Sequence, residues 1–226
     1  MTTTAITSES IEMYLKSICE LEAIDSPVAI SQLAQRQGVS PPSTIEMVKR
    51  LAAQELVTHT PYKGVSLTEK GRKRAHTILR RHRLWERFLA DTLGLPWEQV
   101  HDHACRLEHA TAPDVTDTLA EFLGHPKTCP HGNPIPGPDG NLTAAQTVPL
   151  SELEIGQRAR LAHIAFEEAI LLEYLARQNL YPDTTLVLEE VAPYQGPFIV
   201  RLEDREETQA IGREIAARLF VEMLPG

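Results

Sequence analysis

Potential transition-metal ligands recur at helical spacing near the middle of this 226-residue chain. An α-helix turns by about 100° per residue, so positions spaced in this way share one arc about 100° wide. The apolar Val100 and Ala104 border that arc, which places it at the edge of a buried face, where ligands are partly desolvated and still reachable. The residues on the arc are His101, Cys105, Glu108 and His109.

Further candidates extend this donor set. His82 and Glu86 lie at i and i+4 of a preceding predicted helix, beside its apolar face. Met13 points about 200° from Ile11 on its own predicted helix, away from the apolar stripe, although a single exposed methionine is common in proteins. Thiolate, imidazole, carboxylate and thioether donors together suit a first-row divalent ion better than Mg²⁺ or Ca²⁺. The sequence therefore predicts transition-metal binding.

The distribution of charge favours a DNA-binding module in the first half of the chain. The net charge of −9 alone would oppose binding to a polyanion, because such binding draws on Lys and Arg that neutralise phosphates. Between Pro27 and Ala90, however, twelve Lys and Arg face only four Glu. The rest of the chain is acidic, as expected if one module alone binds a polyanion. The alternative is a basic surface that is simply solvated.

Composition indicates a protein of the cytoplasm. Its three cysteines, Cys19, Cys105 and Cys129, are too few and too scattered for a disulfide framework, which fits a reducing compartment. No stretch approaches the roughly 18 consecutive apolar residues that a membrane helix needs. The N-terminus, MTTTAITSES, lacks the basic start and apolar run of a secretory signal.

A winged helix-turn-helix is predicted after an amphipathic helix at 8–23. A short helix at 30–37 is stopped by Gly38, and a second helix runs over 43–54. Two short runs with β propensity then flank a turn-rich segment at 59–64, which is typical of a hairpin. That hairpin would be the wing.

The second half of the chain is predicted to change from helices to strands. Helices dominate over 69–123, with a break near 94–96, and the Pro/Gly-rich segment 125–141 predicts a linker at a domain boundary. Beyond it, four runs of strand character and one helix at 167–178 predict a small β-barrel with an inserted helix. The predicted strands are 158–164, 185–190, 198–202 and 219–223.

Four runs of this sequence resemble the diphtheria-toxin-repressor family of iron- and manganese-dependent bacterial repressors. They are SIEMYLKSICELE, RRHRLWERFL, HDHACRLEHA and GNPIPG. The resemblance implies a mainly α fold with small β elements in three domains. These would be a winged helix-turn-helix DNA-binding domain at 1–73, a helical dimerisation and metal-binding domain with its linker at 74–140, and an SH3-like (FeoA-like) β-barrel at 141–226.

The resemblance also implies two metal sites per subunit, for Mn(II) or Fe(II). The softer Met and Cys donors favour Fe(II), but cellular availability can reverse that order. The ancillary site would take a further acidic ligand from the C-terminal domain, where Glu168, or else Glu167, aligns loosely. The activating site would comprise Met13, Cys105, Glu108 and His109, and the ancillary site His82, Glu86, His101 and Glu168.

The resemblance further implies a homodimer that binds a palindromic operator. Residues 40–46 would approach base edges, and basic residues of the helix and wing would approach phosphates. Glu46 stands where iron repressors carry a glutamine; a carboxylate accepts a hydrogen bond from cytosine N4, so the operator preference would differ, unless Glu46 faces solvent. The predicted DNA-binding residues are Ser40, Pro42, Ser43, Thr44, Glu46, Lys49, Arg50 and Lys63.

The expected function is therefore repression of metal-homeostasis genes, without catalysis. The alternative is a metal-independent winged-helix regulator that senses an organic ligand. A zinc hydrolase is disfavoured because the chain has no His-Glu-x-x-His run and both sites are filled by protein ligands. His125, Cys129 and His131 of the linker could form another metal site, but a Pro/Gly turn that carries surface histidines is the preferred interpretation.

Overall fold

The structure, a computed structural model, describes residues 2–143, 146–203 and 205–225, with side chains described from Glu9 onward. The chain forms two compact units, and the boundaries between them fall inside helices rather than in the linker alone. The first unit comprises Met1–His82, Arg106–Asp117 and Pro136–Leu142, and the second Arg83–Cys105, Thr118–Ile135 and Thr143–Gly226.

The first unit begins with three helices that form the helix-turn-helix and its support. Helix α1 (Thr2–Glu22) starts six residues earlier than the sequence predicts. Helix α2 (Ile30–Gln37) ends at Gly38, whose positive φ of 64° and capping N–H bonds close the helix as predicted. Helix α3 (Pro41–Ala53) begins at Pro41 rather than Ser43, because proline fits the first turn and Ser40 caps it.

The wing is a two-stranded antiparallel hairpin of β1 (Val57–Thr60) and β2 (Gly64–Leu67). Val28 exchanges two backbone hydrogen bonds of 2.9 Å with Val65 and so ties the hairpin to the segment before α2. A Cβ on Gly64 would lie only 2.3 Å from the Val28 carbonyl oxygen, so glycine is required there. The predicted wing is confirmed, and its tip is fully exposed.

The core of the first unit joins α1 to the helix-turn-helix. Leu15 and Ile18 of α1 are fully buried, as the predicted apolar stripe requires. They pack in one cluster with residues of α2, α3, the wing and the following helix. This cluster fixes the position of α1 on the DNA-binding elements. Its other fully buried members include Val28, Leu33, Val48, Leu51 and Val65.

Three more helices follow, and the first two of them carry most of the predicted ligands. Helix α4 (Glu69–Arg87) continues into a π-helical turn at Phe88–Thr92, and Gly94 with a positive φ ends it at the predicted break. Helices α5 (Val100–Glu108) and α6 (Pro113–Phe122) follow. Within the second unit, Leu84, Leu119 and Ala120 form a small buried cluster against partly exposed aromatic side chains.

The second unit contains a six-stranded antiparallel sheet with the order β3-β8-β4-β5-β6-β7. Strands β3 and β7 remain edges, so the described strands form an open sheet. Helix α7 (Ala169–Arg177) confirms the predicted insertion, and its Leu172 and Leu175 are fully buried in the core of this sheet. The other elements are β3 (Val148–Pro149), a 3₁₀ turn (Leu150–Glu152), β4 (Arg158–Ile164), β5 (Thr185–Val191), β6 (Phe198–Leu202), β7 (Thr208–Ile211), α8 (Arg213–Ala216) and β8 (Leu219–Met223).

Within the described ranges, no helix has enough length and apolar character to cross a bilayer.

Candidate metal centres and DNA-binding surface

In the first unit, α1, α4 and α5 bring four of the predicted ligands together. His109, directly after α5, places its Nε2 3.2 Å from Met13 Sδ and 3.3 Å from Glu108 Oε1. His82 Nδ1 lies 2.6 Å from Glu108 Oε2, and both side chains are buried. Met13 thus faces a histidine rather than solvent, which explains its position off the apolar stripe. We call Met13, Lys16, His82, Glu108 and His109 the Glu108 cluster.

Glu12 orients His109 within this cluster. Its Oε2 lies 2.9 Å from His109 Nδ1 and also accepts a 3.1 Å hydrogen bond from Arg81. When Nδ1 donates to a carboxylate, the lone pair of a neutral imidazole is on Nε2, which here faces Met13 and Glu108. The Glu12 hydrogen bond outweighs burial and raises the pKa of His109. Sequence spacing could not reveal Glu12, because it meets His109 across 97 positions of the chain.

Lys16 is a second member that the sequence did not single out. Its Nζ lies 3.0 Å from both carboxylate oxygens of Glu108 and 3.3 Å from His82 Nδ1, and its side chain is only 3% exposed. Burial alone would raise the pKa of Glu108, but His82 and the Lys16 ammonium lower it below its usual value. Glu108 is therefore an anion held by an ammonium group of the same chain.

The second unit contains a compact group of four potential metal ligands. One ligand atom from each of Glu86, Cys129, His131 and Glu167 lies within 4.8 Å of the other three, and the residues are buried. His131 Nδ1 lies 3.5 Å from Glu86 and 3.4 Å from Glu167. The Cys129 Sγ is 3.8 Å from the same nitrogen. A thiol, an imidazole and two carboxylates thus face one point.

His101 joins this group from helix α5. Its Nδ1 lies 2.7 Å from Glu167 Oε2 and 3.3 Å from Glu86 Oε1, so both carboxylates face two histidines. Cys105, one turn later on α5, has its Sγ 3.6 Å from His101 Nε2. We call Glu86, His101, Cys129, His131 and Glu167 the Glu167 cluster.

Backbone and amide groups hold the Glu167 cluster in place. His131 Nε2 lies 2.8 Å from the Trp97 carbonyl oxygen, which makes Nε2 the donor and leaves the Nδ1 lone pair of a neutral ring toward the carboxylates. The Asn133 amide donates at 2.6 Å to Glu167 Oε1. Between these two residues, a Cβ on Gly132 would lie 2.0 Å from the Ala162 carbonyl oxygen. The loop therefore fits against β4 only with glycine at this position.

Both histidines of the Glu167 cluster have a raised pKa. Burial alone would lower the pKa of His101, but hydrogen bonds with Cys105, Glu167 and Glu86 raise it to about 11. Burial acts in the same direction on His131, yet the charges of the two glutamates raise its pKa well above the usual value. The raised pKa of each ring favours an imidazolium cation between the carboxylates.

Cys129 is a thiol in the same environment. Burial, together with the negative charges of Glu86 and Glu167, raises its pKa to about 11. A metal ligand must be a thiolate and a neutral imidazole, so this donor set would exchange protons for a divalent ion. Buried sulfur, nitrogen and carboxylate donors in one group fit a first-row transition metal and do not fit Mg²⁺ or Ca²⁺.

Two predictions about this region are revised. The side chain of Glu168 is 57% exposed and lies against Arg218, whereas Glu167 faces the cluster, so the structure favours the second of the two aligned residues. The interpretation of the linker histidines as surface groups is wrong for His131 and holds for His125. Arg87 holds the linker inward with hydrogen bonds to the Thr128 and Cys129 carbonyl oxygens.

The two predicted ligand sets divide between the compact units. Met13, Glu108 and His109 fall in the first unit, while Cys105, which the resemblance assigns to the same site, falls in the second. His82 likewise falls in the first unit, and Glu86 and His101 in the second. Each unit thus contains some ligands of the predicted activating site and some of the predicted ancillary site. The first unit adds Lys16 to them, and the second unit adds Cys129 and His131.

The predicted DNA-binding residues lie on α3, at its N-terminus and on the wing, and all but one are exposed. Thr44 is the exception, because it is fully buried and its hydroxyl donates to the Ser40 carbonyl oxygen at 3.2 Å. Its burial contradicts a contact with base edges. Glu46 forms a 2.6 Å ion pair with Arg50 one turn later. The exposed residues are Ser40, Pro42, Ser43, Glu46, Lys49, Arg50 and Lys63.

A winged helix-turn-helix in a chain with two buried groups of transition-metal donors defines a class, the metal-sensing DNA-binding regulators. Comparison with known proteins agrees. Residues 6–65 match the family described as "Iron dependent repressor, N-terminal DNA binding domain", and residues 68–137 match "Iron dependent repressor, metal binding and dimerisation domain". Residues 148–223 match the "FeoA domain", an SH3-like fold.

Individual relatives support the same assignment. The chain is 39% identical over 155 residues to the iron-dependent repressor IdeR of Mycobacterium leprae, covering 66% of this chain and 67% of that one. It is 42% identical over 131 residues to the diphtheria toxin repressor of Corynebacterium jeikeium, covering 58% and 55%. A solved manganese-dependent transcriptional repressor in complex with manganese superposes with a TM-score of 0.88 at 33% identity, covering 95% of this chain and 100% of the other. The chain belongs to the diphtheria-toxin-repressor family of iron-dependent repressors.

Proposed function

We propose that this protein is a metal-dependent transcriptional repressor that binds palindromic operator DNA as a homodimer when it is loaded with Mn(II) or Fe(II). The observation that carries the proposal is the Glu167 cluster, whose buried carboxylates, thiol and imidazoles occur in a chain with a winged helix-turn-helix. Its place of action would be the cytoplasm, and its targets would be metal-homeostasis genes.

Two ions per subunit are proposed, one at each of the two predicted sites. Met13, Glu108 and His109 would hold the first, together with Cys105 as the resemblance implies. Glu167 replaces Glu168 as the proposed acidic ligand from the C-terminal domain, because Glu167 contacts His101 and Glu168 does not approach it in the described contacts. The second ligand set would comprise Glu86, His101, Cys129, His131 and Glu167, with His82 retained from the predicted ancillary site.

The proposed switch acts through α1. A divalent ion supplies two positive charges and directional bonds to its ligands when it is bound. Leu15 and Ile18 bury α1 against the helix-turn-helix, and Met13 lies on the same helix beside His109. Fastening Met13 to His109 therefore restrains the element that supports α3. Restraint of this kind shifts the population toward the arrangement that binds the operator.

On DNA, α3 of each subunit would enter a major groove of one half-site. Lys49, Arg50 and Lys63 are exposed and would neutralise phosphates, which contributes most of the affinity that does not depend on sequence. Glu46 and the exposed N-terminal residues of α3 would approach base edges.

The helices after the wing would form the dimer. Phe122 at the end of α6 is 66% exposed and packs against Phe88, with ring centroids 6.0 Å apart and ring planes tilted by 59°. An exposed aromatic side chain beside a small buried cluster is typical of a surface that a second subunit covers. This role agrees with the matched dimerisation domain at 68–137.

Operator binding with and without metal tests the proposal. We expect binding by the wild type to require Mn(II) or Fe(II), and Glu167→Gln to weaken it strongly. Glu168→Gln is the matched control, since it removes the same charge from the next position, where the side chain contacts Arg218. Operator binding that survives chelation in all three proteins would contradict metal control and would favour a regulator that senses an organic ligand.

A further inference from the structure

Lys16 occupies a place in the Glu108 cluster that cations prefer. Its ammonium contacts both oxygens of Glu108 at 3.0 Å and His82 Nδ1 at 3.3 Å. Lysine is almost never buried unless it is paired, because the desolvation of an ammonium group is costly. Lys16 is 3% exposed and Glu108 is fully buried, so each charge stabilises the other inside the protein.

The same oxygens are those that a metal ion bound at Glu108 would need. His109 Nε2 lies 3.3 Å from Glu108 Oε1, so the histidine and the ammonium share one carboxylate. Metal–oxygen bonds of first-row ions are close to 2 Å long, which is too short to leave an ammonium in contact with both oxygens. A divalent ion beside that ammonium would also be repelled by its positive charge in a buried site.

The Lys16 ammonium can also move away from Glu108. Its ammonium stands at the end of a flexible four-carbon stem, and its backbone is in α1, which is fixed by the neighbouring Leu15 and Ile18. The stem can change rotamer without any movement of the helix. Glu12 and Met13, one turn earlier, keep their contacts with His109 in either rotamer, because they depend on the backbone of α1.

We propose that Lys16 is a tethered cation that occupies Glu108 in the metal-free protein and is displaced when metal binds. This inference rests on the proposed function and adds a regulatory element to it. Lys16 stabilises the metal-free fold and, by competing for Glu108, lowers the metal affinity of this cluster. The concentration at which the repressor responds is therefore set partly by a residue that is not a ligand.

Metal titration of Lys16→Met against a competing chelator tests the proposal. Methionine keeps most of the volume of the stem and removes the charge, and Lys16→Leu, which adds no thioether donor, should tighten binding in the same way. Metal binds only the fraction of the protein in which the Lys16 ammonium is away from Glu108. Removing the lysine therefore tightens metal binding by the inverse of that fraction, about tenfold if the fraction is about 10%. We expect the tighter step with Mn(II) and with Fe(II) under anaerobic conditions. Lys70→Met, which removes an exposed lysine paired with Glu55, should leave the titration unchanged.

The same substitution in a protein that lacks the Glu108 carboxylate tests whether the tighter metal binding arises at this cluster. Combined with Glu108→Gln, the Lys16→Met substitution should no longer tighten binding, because the carboxylate for which the lysine competes is absent. Tightening that persists in this background would overturn the proposal. So would equal or weaker metal affinity of Lys16→Met in the presence of Glu108.

Thermal unfolding covers the case in which Lys16→Met is unstable. We expect the variant to be less stable than wild type without metal and to gain more stability from Mn(II). A variant that fails to fold even with Mn(II) would mean that Lys16 is required beside the metal, which contradicts displacement. If wild type binds no metal, the proposed function itself fails, whereas metal-dependent wild type with an unaffected Lys16→Met refutes this inference alone.

Discussion

The Glu108 cluster and the Glu167 cluster solve the same electrostatic problem in different ways. Each buries carboxylate charge next to histidines that can bind metal. In the first, two side chains of the same unit stabilise the charge of Glu108, the ammonium of Lys16 at 3.0 Å and the imidazole of His82 at 2.6 Å. In the second, protons do so, because His101 and His131 have raised pKa values between Glu86 and Glu167.

This difference predicts two kinds of metal response. Protons exchange with solvent and their binding follows pH, so metal uptake at the Glu167 cluster should release protons and weaken in acid. A tethered ammonium has to move as a side chain, so uptake at the Glu108 cluster should depend on the residue at position 16. Four experiments test this contrast, from the largest expected effect to the smallest.

Removal of His131 should have the largest effect. His131→Ala deletes an imidazole that faces both carboxylates of the Glu167 cluster, and we expect its metal affinity to fall by about 100-fold or more. His125→Ala, in the same linker but exposed, is the control. Competition titration with Mn(II) measures both. Equal metal affinities of the two variants would mean that the Glu167 cluster does not bind the metal.

Gly132→Ala should disturb the same cluster without changing a donor. The new Cβ would meet the Ala162 carbonyl oxygen at 2.0 Å, and we expect a loss of about 3 kcal/mol in unfolding free energy, measured with urea. Gly124→Ala is matched to it, since Gly124 also has a positive φ but meets nothing within 4 Å, and should cost only about 1 kcal/mol. A milder loss at Gly132 than at Gly124 would show that the loop is free to move.

The pH dependence of stability should have opposite signs with and without metal. A pKa of His101 raised from 6.5 to about 11 stabilises the metal-free fold below pH 6.5, and that contribution is lost as pH rises toward 11. Metal-free protein should therefore lose stability between about pH 6.5 and about pH 11. Mn(II) should add more stability at the higher pH, since its ligands are deprotonated there. The slope without metal should be smaller for His101→Gln, and an unchanged slope would contradict the assignment.

Glu12→Gln should have the smallest effect and should act on the Glu108 cluster. The amide oxygen still accepts from His109 Nδ1, but the charge that raises the pKa of His109 is lost. We expect about tenfold weaker metal binding, as for other residues that orient a ligand histidine. Glu20→Gln, on the same helix but paired with Arg36, is the control, and chelator competition is the measurement. Affinity equal to that of Glu20→Gln would mean that Glu12 does not orient the histidine.

Sequence spacing predicted the elements well where the physics is local. Gly38 ends α2, the hairpin forms at the predicted turn, and one helix face carries His101, Cys105 and Glu108. These features depend on backbone conformation and helical periodicity, which neighbouring residues determine.

The parts that sequence could not predict depend on distant contacts. Cys129 is buried because Arg87, 42 positions away, binds its backbone. Glu167 contacts His101 while Glu168 contacts Arg218, and the positive φ of the preceding Phe166 is not evident from the sequence. Lys16 shares a helix face with Met13, but only the fold brings Glu108 to it.

The ion pair between Glu46 and Arg50 has a consequence for the salt dependence of operator binding. DNA affinity falls with salt because each cationic side chain that meets a phosphate releases condensed counterions from the DNA. Arg50 already carries its own counterion, since Glu46 lies 2.6 Å away. When Arg50 leaves Glu46 to bind a phosphate, the Glu46 carboxylate stays near the DNA backbone without its cation. The slope of log affinity against log salt should therefore be shallower than the count of basic residues on α3 and the wing implies.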